Sequence, residues 1–469
     1  REMLAVERSL ETKAQALGAR AGHRVSHDRL TAAALAADER GLTLSDEQLN
    51  ALGHVALGGD LSLVVGYAGS GKSAMLGVAA AAWGAQGHRV RGAALSGIAA
   101  ENLASGSGIE SRTLASLEHA WARGRDGLER GDVLVIDEAG LVGSRQLERV
   151  LARAEQAGAK VVLVGDAEQL QAIEAGAAFR ALAERQGAAE ITDIRRQLRS
   201  WQQAATRQLA TGRTEEALAA YQDHELVAAH DTVGQAAVAM VQVWQTWRDE
   251  QPERSHLMLA YTRAEVDRLN QLARERLAAA GQLVGGSSVA TTRGPRSFAR
   301  GDRLIFLRNE RSLGVRNGSL GTVTSIAGGQ FQVRLDDGRE VAFAAKDYAD
   351  FDHGYAVTIH KAQGSTVDYA HVLASPFMDR HATYVALSRH RAEAVLHFGW
   401  DQFADVESFR RSLSRERTKD TTLDYVDARR TPAQERAIAR DSFPTRDNGR
   451  VMDREAWPAT ASKGRERTR

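Results

Sequence analysis

Strand-length segments alternate with segments of helical spacing through the first 200 residues of the chain. The strand-length segments, three of them apolar runs, are residues 61–65, 89–95, 132–136 and 160–164. Residues 74–83 and 144–157 lie between them and carry apolar side chains at helical intervals. Strands that alternate with helices in this way are typical of a parallel sheet covered by helices. The pattern therefore predicts an α/β fold.

The second half of the chain begins in the same way and then changes its period. Residues 201–250 predict helices, and a strand at 255–260 is followed by a helix at 264–280. Residues 297–346 instead alternate with period two, and turn sequences such as Asn317-Gly318 separate the alternating runs. This stretch predicts a small antiparallel β-barrel or sandwich that is inserted into an α/β domain.

The two ends of the chain differ from the middle. Residues 1–42 predict a helical packing or linker segment, and the charge-rich end predicts one helix followed by a disordered or extended Arg-rich tail. The predicted organisation begins with an N-terminal helical segment (1–42) and a first α/β domain (43–197). A second α/β domain in two parts (198–296 and 347–400) contains a β insert (297–346), and a charged tail (401–469) follows.

Composition narrows the class of protein. A length of 469 residues predicts two to four domains. The absence of cysteine excludes a disulfide framework and fits a reducing cytosol, and no apolar run is long enough to predict a membrane span. A net charge of +1 says nothing about nucleic acid, which needs only a local basic groove. Because the first residue is Arg1, we expect a fragment of a longer protein or a trimmed form.

A glycine-rich turn joins the strand at 61–65 to the helix at 74–83. The turn, residues 66–73, reads Gly-Tyr-Ala-Gly-Ser-Gly-Lys-Ser, which is a phosphate-binding loop in its expected context. Its backbone N–H groups and the helix dipole would cradle phosphates, Lys72 would reach the β- and γ-phosphates, and Ser73 would bind Mg²⁺. The loop predicts ATP with Mg²⁺, and its nucleotide-binding residues are Gly66, Gly69, Ser70, Gly71, Lys72 and Ser73.

Acidic and amide side chains follow two of the apolar runs. Asp137 and Glu138 end the run at 132–136, where Asp137 would hold Mg²⁺ and Glu138 would orient and deprotonate the attacking water. Gln169 follows the run at 160–164, and it either touches the γ-phosphate or the water, or caps the next helix. We expect these two strands to be neighbours.

Three further polar residues have two interpretations each. Gln48 lies at the third helical position after Ser45, which predicts a capping box, but a glutamine ahead of a phosphate-binding loop also suits the edge of adenine. Ser96 and Thr113 stand before helices, where a hydroxyl either caps the helix or holds a phosphate of a nucleic-acid strand.

The motifs occur in an order that resembles superfamily 1 helicases of the RecD-like group, over about residues 43–400. Residues 69–73, 92–103 and 137–146 look more closely like the helicase part of TraA-type conjugative relaxase–helicases. The segments that carry the broader resemblance are Gln48, 66–73, 96–100, 137–138, 165–169, 195–197, 358–364 and 384–389.

The resemblance implies two RecA-like domains with ATP in the cleft between them and movement from 5′ to 3′ on single-stranded DNA. It implies that the β insert is an SH3-like element that helps to grip DNA. Arg196 and Arg389 become the arginines that cross the cleft to the γ-phosphate, and Arg196 is preferred to Arg195 because it directly precedes Gln197. Gly364 is implied at the nucleotide, and the implied DNA contacts are Ser96, Thr113, Thr358 and His360.

Two departures limit the resemblance. Arg195 stands where some superfamily 1 helicases have an aromatic residue that stacks on adenine, so no stacking residue is assigned. None of the 14 histidines forms the His-x-His pattern of a relaxase metal site, so we do not expect this chain to nick DNA.

The leading hypothesis is a DNA helicase or translocase that is the motor of a conjugative relaxase. It would bind single-stranded DNA without sequence preference, be fused to or work with a relaxase domain, and act in the bacterial cytoplasm from a plasmid-encoded gene. The alternatives are a module that only binds single-stranded DNA and a superfamily 1 RNA helicase. A module without motor activity should have lost Lys72, Glu138 or Arg389, and all three are present.

Overall fold

Two parallel sheets, each covered by helices on both faces, form the body of the protein. A computed structural model describes residues 2–170 and 177–416. The α/β fold that the sequence predicts is confirmed. The Arg-rich tail predicted beyond residue 416 lies outside the described residues. Within the described ranges, none of the helices has the length and apolar character that crossing a bilayer requires.

Lobe 1 is built on the first sheet. Its strands are β1 (Leu61–Gly66), β2 (Arg89–Ala94), β3 (Ser111–Thr113), β4 (Asp132–Asp137), β5 (Lys160–Gly165) and β6 (Ala189–Ile191). Its helices are α1 (Glu2–Gly18), α2 (His27–Glu39), α3 (Asp46–Leu57), α4 (Lys72–Gln86), α5 (Gly97–Ser107), α6 (Leu114–Trp121), α7 (Ser144–Ala157) and α8 (Ala178–Gln186). The strand order is β3-β2-β4-β5-β1-β6, and every pairing is parallel.

The apolar runs of the sequence become the centre of this sheet. β4 and β5 are almost completely buried and pair directly, which confirms that the two acid-bearing strands are neighbours. The predicted N-terminal helical segment packs on the same lobe, where the buried face of α1 lies against α7 and α8. An ion pair of 3.1 Å between Lys13 and Glu148 flanks that contact. The helices in this part of the chain are α1 and α2, and residues 19–26 connect them.

Lobe 2 begins with helices and incorporates a separate β region, residues 284–353. The elements in chain order are α9 (Ser200–Ala210), α10 (Thr214–Asp223), β7 (Val227–His230), α11 (Val233–Glu250), β8 (His256–Ala260), α12 (Arg263–Ala279), β9 (Val284–Thr291), β10 (Gly294–Arg300), β11 (Arg303–Phe306), β12 (Leu320–Ala327), β13 (Gln330–Leu335), β14 (Glu340–Ala344), β15 (Phe351–His353), β16 (Ala356–Thr358), α13 (Ile359–Ala362), β17 (Val367–Leu373), α14 (Arg380–Leu387), β18 (His390–Gly399) and α15 (Val406–Ser414).

The sheet of lobe 2 has the order β16-β8-β17-β18-β7 and is also parallel. Two apolar cores cover its faces. One of these cores includes Ala68 and Leu170 of lobe 1 together with residues of α14, so the two lobes share buried apolar contacts. This shared core sets α14 against the carboxyl ends of the lobe 1 strands.

The β region is antiparallel, as the period-two pattern predicts. A five-stranded sheet in the order β14-β13-β12-β11-β15 packs on an aromatic core, and β9 and β10 form a separate hairpin. The region begins at Val284 and ends at His353, which is wider than the predicted 297–346. The period-two pattern did not predict the hairpin, because β9 starts with the sequence Val-Gly-Gly-Ser-Ser, in which apolar and polar residues do not alternate.

Candidate functional site

The glycine-rich turn leaves the start of α4 without a side-chain cap. Gly71 is the N-cap residue at φ +76°, and no side chain caps the helix there. Gly69 is also left-handed, and a Cβ at Gly69 would lie 2.5 Å from the Cβ of Arg196. Uncapped N–H groups at the positive end of a helix dipole attract phosphate. Lys72 folds over the loop, where its Nζ donates to the carbonyl oxygens of Gly66 at 2.6 Å and Tyr67 at 2.9 Å.

Gln48 caps its own helix and also supports the loop. Its Oε1 accepts from the Ser45 N–H at 2.9 Å, and its own N–H donates to the Ser45 hydroxyl, which confirms the predicted capping box. Its Nε2 donates to the carbonyls of Ser70 at 3.0 Å and Gly71 at 3.2 Å. Both amide hydrogens are thus bonded to the loop. Contact of Gln48 with adenine stays a prediction, because the structure uses the amide for the loop.

The two acids stand at the carboxyl end of β4 beside the loop. Glu138 has a left-handed backbone at φ 53°, which is rare for a residue with a side chain and is typical of functional sites. Its N–H donates to Asp137 Oδ1 at 2.9 Å. Desolvation raises the pKa of Asp137 to about 6, and the neighbouring Glu138 adds to the shift, while Lys72 opposes it. A carboxyl group with this electrostatic environment favours a bound cation.

Gln169 lies at the end of β5, between the acids and the loop in the sheet order. It is buried, and its Nε2 donates to Asp166 Oδ2 at 3.1 Å. Its Oε1 is buried without a hydrogen-bond partner among the described residues. An acceptor of this kind suits a water molecule or a hydroxyl group that enters the cleft.

Two guanidinium groups, half-buried on Arg196 and buried on Arg389, line the same cleft as the loop. Arg196 donates from Nη1 to the Ser388 carbonyl at 2.7 Å, and Arg389 donates from Nε to the Val385 carbonyl at 3.0 Å. Burial lowers the pKa of Arg196 to about 9, and the charge of Arg389 adds to this. Burial also lowers the pKa of Arg389. No carboxylate of a described residue forms an ion pair with either guanidinium, so the pair favours an anion between them.

These groups line one cleft of about 340 Å³ between the lobes. All of the predicted nucleotide, metal and catalytic residues line it except Gln48 and Gly66, which lie directly behind the loop. Those that line the cleft are Gly69, Ser70, Gly71, Lys72, Ser73, Asp137, Glu138, Gln169, Arg196, Gly364 and Arg389. A volume of this size is within the range of small-molecule sites.

Sequence reasoning missed several residues that line the same cleft. Asn102 donates from Nδ2 to the Gly364 carbonyl at 2.9 Å, which joins the lobes at the rim. Arg391 and Thr366 also line the cleft. Asn102 belongs to the 92–103 segment that carries the family resemblance. That segment is the sequence feature that could have identified Asn102 as a functional residue.

The predicted DNA residues lie elsewhere, and the structure shows their local roles. The hydroxyls of Ser96, Thr113 and Thr358 each cap a helix by accepting from the N–H three residues later. His360 is exposed on α13. Capping was one of the two interpretations for Ser96 and Thr113. Contact of these four residues with DNA stays a prediction.

A second cleft of about 520 Å³ separates the starts of α5 and α6 from the β region. Thr113 lines it together with arginines of the β region. Arg316 donates from Nη1 to the Gly97 carbonyl at 2.6 Å, and Arg311 donates to the Ser116 hydroxyl at 3.4 Å. Helix N-termini opposed by arginines form an electropositive groove.

Known proteins share both the sequence and the fold. Residues 43–232 match the family described as an AAA domain. The conjugal transfer protein TraA of Rhizobium radiobacter is 43% identical over 428 residues, which cover 91% of this chain but 38% of that protein. The chain therefore spans a little more than a third of that relative. The ATP-dependent RecD2 DNA helicase of Deinococcus radiodurans is 27% identical over 371 residues, covering 74% of this chain and 48% of the helicase.

A solved structure shares the fold. The Pif1 helicase from Bacteroides, in complex with ADP-AlF3 and single-stranded DNA, superimposes with a TM-score of 0.54 at 19% identity. The superposition covers 85% of this chain and 98% of that one. The chain is therefore similar to the RecD2 DNA helicase and to a segment of TraA conjugal transfer proteins, and it shares the fold of the Pif1 helicase.

Proposed function

We propose that this chain is an ATP-dependent DNA helicase or translocase that moves along single-stranded DNA. One observation carries the proposal. The phosphate-binding loop and the Asp137–Glu138 pair of lobe 1 share a cleft with Arg389 of lobe 2. Arg196, from the segment that joins the lobes, lines the same cleft and donates to Ser388 of lobe 2. A nucleotide in this cleft would touch both lobes, so its hydrolysis would change how the lobes meet.

The residues of the cleft fit ATP with Mg²⁺. The uncapped start of α4 and the Lys72 amine suit the phosphates, and Ser73 and Asp137 supply the oxygen ligands that Mg²⁺ prefers. The raised pKa of Asp137 supports the same assignment, because a cation beside the carboxylate would relieve its repulsion with Glu138. When bound, Mg·ATP supplies the phosphoryl group that is transferred to water.

The chain's own residues then position and activate that water. Glu138 accepts a proton at its carboxylate, and the free Oε1 of Gln169 accepts a hydrogen bond from the same water. Arg196 and Arg389 stabilise negative charge on the transferred group. Because the guanidinium group of Arg389 is buried, it acts with little screening by solvent.

The DNA path follows the helix starts of lobe 1 and the adjacent β region. Ser96, Thr113, Thr358 and His360 contact phosphate and sugar, and the arginines of the second cleft neutralise phosphate charge. Contacts of this kind tolerate any sequence and weaken as salt rises. The Bacteroides Pif1 helicase was solved with single-stranded DNA, which supports the same class of partner.

In the cell, the chain is the motor part of a relaxase that acts in conjugative transfer. Its similarity to conjugal transfer proteins TraA supports this role. The proposal includes a bacterial cytoplasmic location, a plasmid-encoded gene and a relaxase domain as partner. Movement runs from 5′ to 3′, in line with the RecD-like family. The two lobes are RecA-like domains that are joined near residues 197–198, and the β insert, residues 284–353, is SH3-like.

The deciding experiment measures ATP hydrolysis with poly-dT, with poly-U and without a polynucleotide. We expect poly-dT to stimulate the wild-type protein, and Lys72→Ala to lower kcat by at least about 10³-fold, since it removes the cation at the transferred phosphate. Lys13→Ala, which removes a lysine on α1 that is paired with Glu148, is the matched control and should keep full activity.

The outcomes separate the candidate functions. DNA binding without hydrolysis in the wild-type protein would indicate a module that only binds single-stranded DNA. Stronger stimulation by poly-U would indicate an RNA helicase. Duplexes with a 5′ or a 3′ single-stranded tail then test direction, and unwinding of the 3′-tailed substrate alone would contradict movement from 5′ to 3′.

A further inference from the structure

The hydroxyl group of Tyr384 enters lobe 1 from α14 of lobe 2. The side chain is completely buried. Its oxygen accepts a hydrogen bond from the Ala68 N–H of the phosphate-binding loop at 2.8 Å, and it donates to Asp166 Oδ2 at 2.6 Å. Burial raises the pKa of the hydroxyl well above its ordinary value, and the charge of Asp166 acts in the same direction. The group therefore stays protonated and can donate.

Asp166 connects Tyr384 to the cleft through hydrogen bonds. Its Oδ1 accepts from the Glu168 N–H at 3.0 Å, and its Oδ2 also accepts from Gln169 Nε2 at 3.1 Å. Gln169 lines the nucleotide cleft, and its Oε1 has no partner among the described residues. A continuous hydrogen-bond chain thus runs from the Ala68 N–H through Tyr384 and Asp166 to an amide at the cleft.

The helix that carries Tyr384 is fixed to lobe 1 at its start as well. Arg380 forms an ion pair with Glu168 at 2.6 Å, and His381 Nδ1 lies 2.7 Å from the Glu168 carbonyl oxygen. After the helix ends, the Ser388 carbonyl accepts from Arg196, and the next residue is Arg389. A shift of α14 against lobe 1 would therefore move the loop contact, Gln169 and the two arginines together.

We propose that Tyr384 is a positioning residue, which transmits the relative position of lobe 2 to the phosphate-binding loop and to Gln169. The proposal rests on the proposed ATPase function and adds the residue that couples the lobes. Tyr384 touches no reacting atom. It acts through the Ala68 N–H and through the Asp166 carboxylate, and so it sets the geometry of the groups that contact ATP and water.

The chain offers a matched control for this role. Tyr355 is also buried, and its hydroxyl donates to the buried Asp302 at 2.5 Å. That pair lies within the second half of the chain, and neither residue lines the nucleotide cleft. Tyr384→Phe and Tyr355→Phe delete the same chemical group from the same kind of buried Tyr–Asp pair. A purely structural loss should therefore be similar in the two variants.

The experiment compares both variants in the full chain by thermal unfolding, by ATPase kinetics with and without poly-dT, and by binding of a non-hydrolysable ATP analogue. We expect similar losses of Tm in both. Tyr384→Phe should lower the poly-dT-stimulated kcat about 10- to 100-fold, with KM for ATP changed less than about 3-fold, because positioning acts on the transition state. Tyr355→Phe should keep the wild-type kcat. Equal kcat values in the two variants would overturn the inference.

Analogue binding separates this inference from the proposed function. If the wild-type protein binds the analogue but does not hydrolyse ATP, the proposed function is wrong. The role of Tyr384 is then tested by the effect of poly-dT on the affinity for the analogue. The factor by which poly-dT changes the affinity for the analogue should then shrink toward one in Tyr384→Phe and stay at the wild-type value in Tyr355→Phe. An unchanged factor in Tyr384→Phe would overturn the inference in that case too.

Discussion

Each lobe contains a parallel strand that leads through a turn into a long helix, but the two turns differ. In lobe 1, β1 leads through residues 67–71 to α4, whose N-cap Gly71 provides no side-chain cap. In lobe 2, β8 leads through Tyr261 and Thr262 to α12. There the Thr262 hydroxyl and the Glu265 side chain form a complete capping box. The same strand–turn–helix unit is open to a ligand in one lobe and closed by its own side chains in the other.

This difference explains why the cleft lies against the turn of lobe 1 and not against the matching turn of lobe 2. Uncapped N–H groups need an anion or water, whereas a capping box has already satisfied them. Lobe 2 contributes to the cleft through Arg389, which follows α14, and through Gly364, which follows α13. In the proposed function, lobe 1 binds the phosphates and lobe 2 responds to them.

The largest expected effect comes from removing the contribution of lobe 2. Arg389→Lys keeps a positive charge but loses the planar guanidinium that reaches the cleft, so kcat should fall by about 10³-fold or more. Binding of a fluorescent ADP analogue should change little, because the loop of lobe 1 is intact. Steady-state ATPase assays and a binding titration measure the two quantities.

A matched substitution controls for the change of side chain. Arg199→Lys alters an exposed arginine that is paired with Glu393 at 2.9 Å and does not line the cleft. It should retain activity within about 2-fold, as expected for an exposed ion pair. A loss of ADP binding in Arg389→Lys equal to its loss of kcat would mean that lobe 2 binds the nucleotide rather than stabilising the transition state.

Acid should weaken lobe 2 more than lobe 1. Burial lowers the pKa values of His390 and His397 to about 3, and neighbouring cationic or imidazole groups contribute. Above the ordinary pKa near 6.5 these histidines are neutral in both the folded and the unfolded state. As the pH falls below 6.5, only the unfolded chain takes up protons, so stability is lost progressively toward pH 3. At pH 5 each of the two should cost about 2 kcal/mol relative to pH 8.

Lobe 1 has an opposite contribution from Asp137. Its pKa is raised to about 6, so the folded state takes up a proton as the pH falls below 6 and gains stability. Hydrogen exchange followed by mass spectrometry at pH 8 and pH 5 should show earlier opening of β17 and β18 than of β4 and β5. His397→Gln should remove about 2 kcal/mol of the acid effect. Equal loss of protection in both lobes would contradict the prediction.

Local patterns predicted most of the fold and the members of the cleft. The apolar runs at β4 and β5 predicted neighbouring strands, because a strand that is buried on both faces has a continuous apolar sequence. The loop and the Asp137–Glu138 pair each lie within a few consecutive residues, so their spacing alone indicates the chemistry. The alternation that predicted the strands of the β region failed at β9, where glycine and serine replace apolar residues.

Contacts between distant segments could not be predicted in this way. The Ala68–Tyr384 hydrogen bond joins residues 316 positions apart, and the Asn102–Gly364 bond joins residues 262 positions apart. Neither has a sequence period or a short motif, since both depend on how the lobes meet. Gln48 shows a second limit, because its capping role was visible in the sequence and its bonds to the loop were not.

The smallest expected effect tests whether capping alone closes the turn of lobe 2. Thr262→Ala removes the hydroxyl that accepts from the Glu265 N–H at 3.2 Å and should cost about 1 kcal/mol of stability. ATPase activity should stay within about 2-fold, because freed N–H groups without a glycine turn and a lysine do not form a phosphate site.

Gly71→Ala is the counterpart in lobe 1. Its φ of +76° and a Cβ only 2.4 Å from Gln48 Nε2 strain the loop, so nucleotide affinity should fall. Urea unfolding and nucleotide titration of both variants measure the contrast, and a lower nucleotide affinity in Thr262→Ala would show that α12 takes part in binding after all.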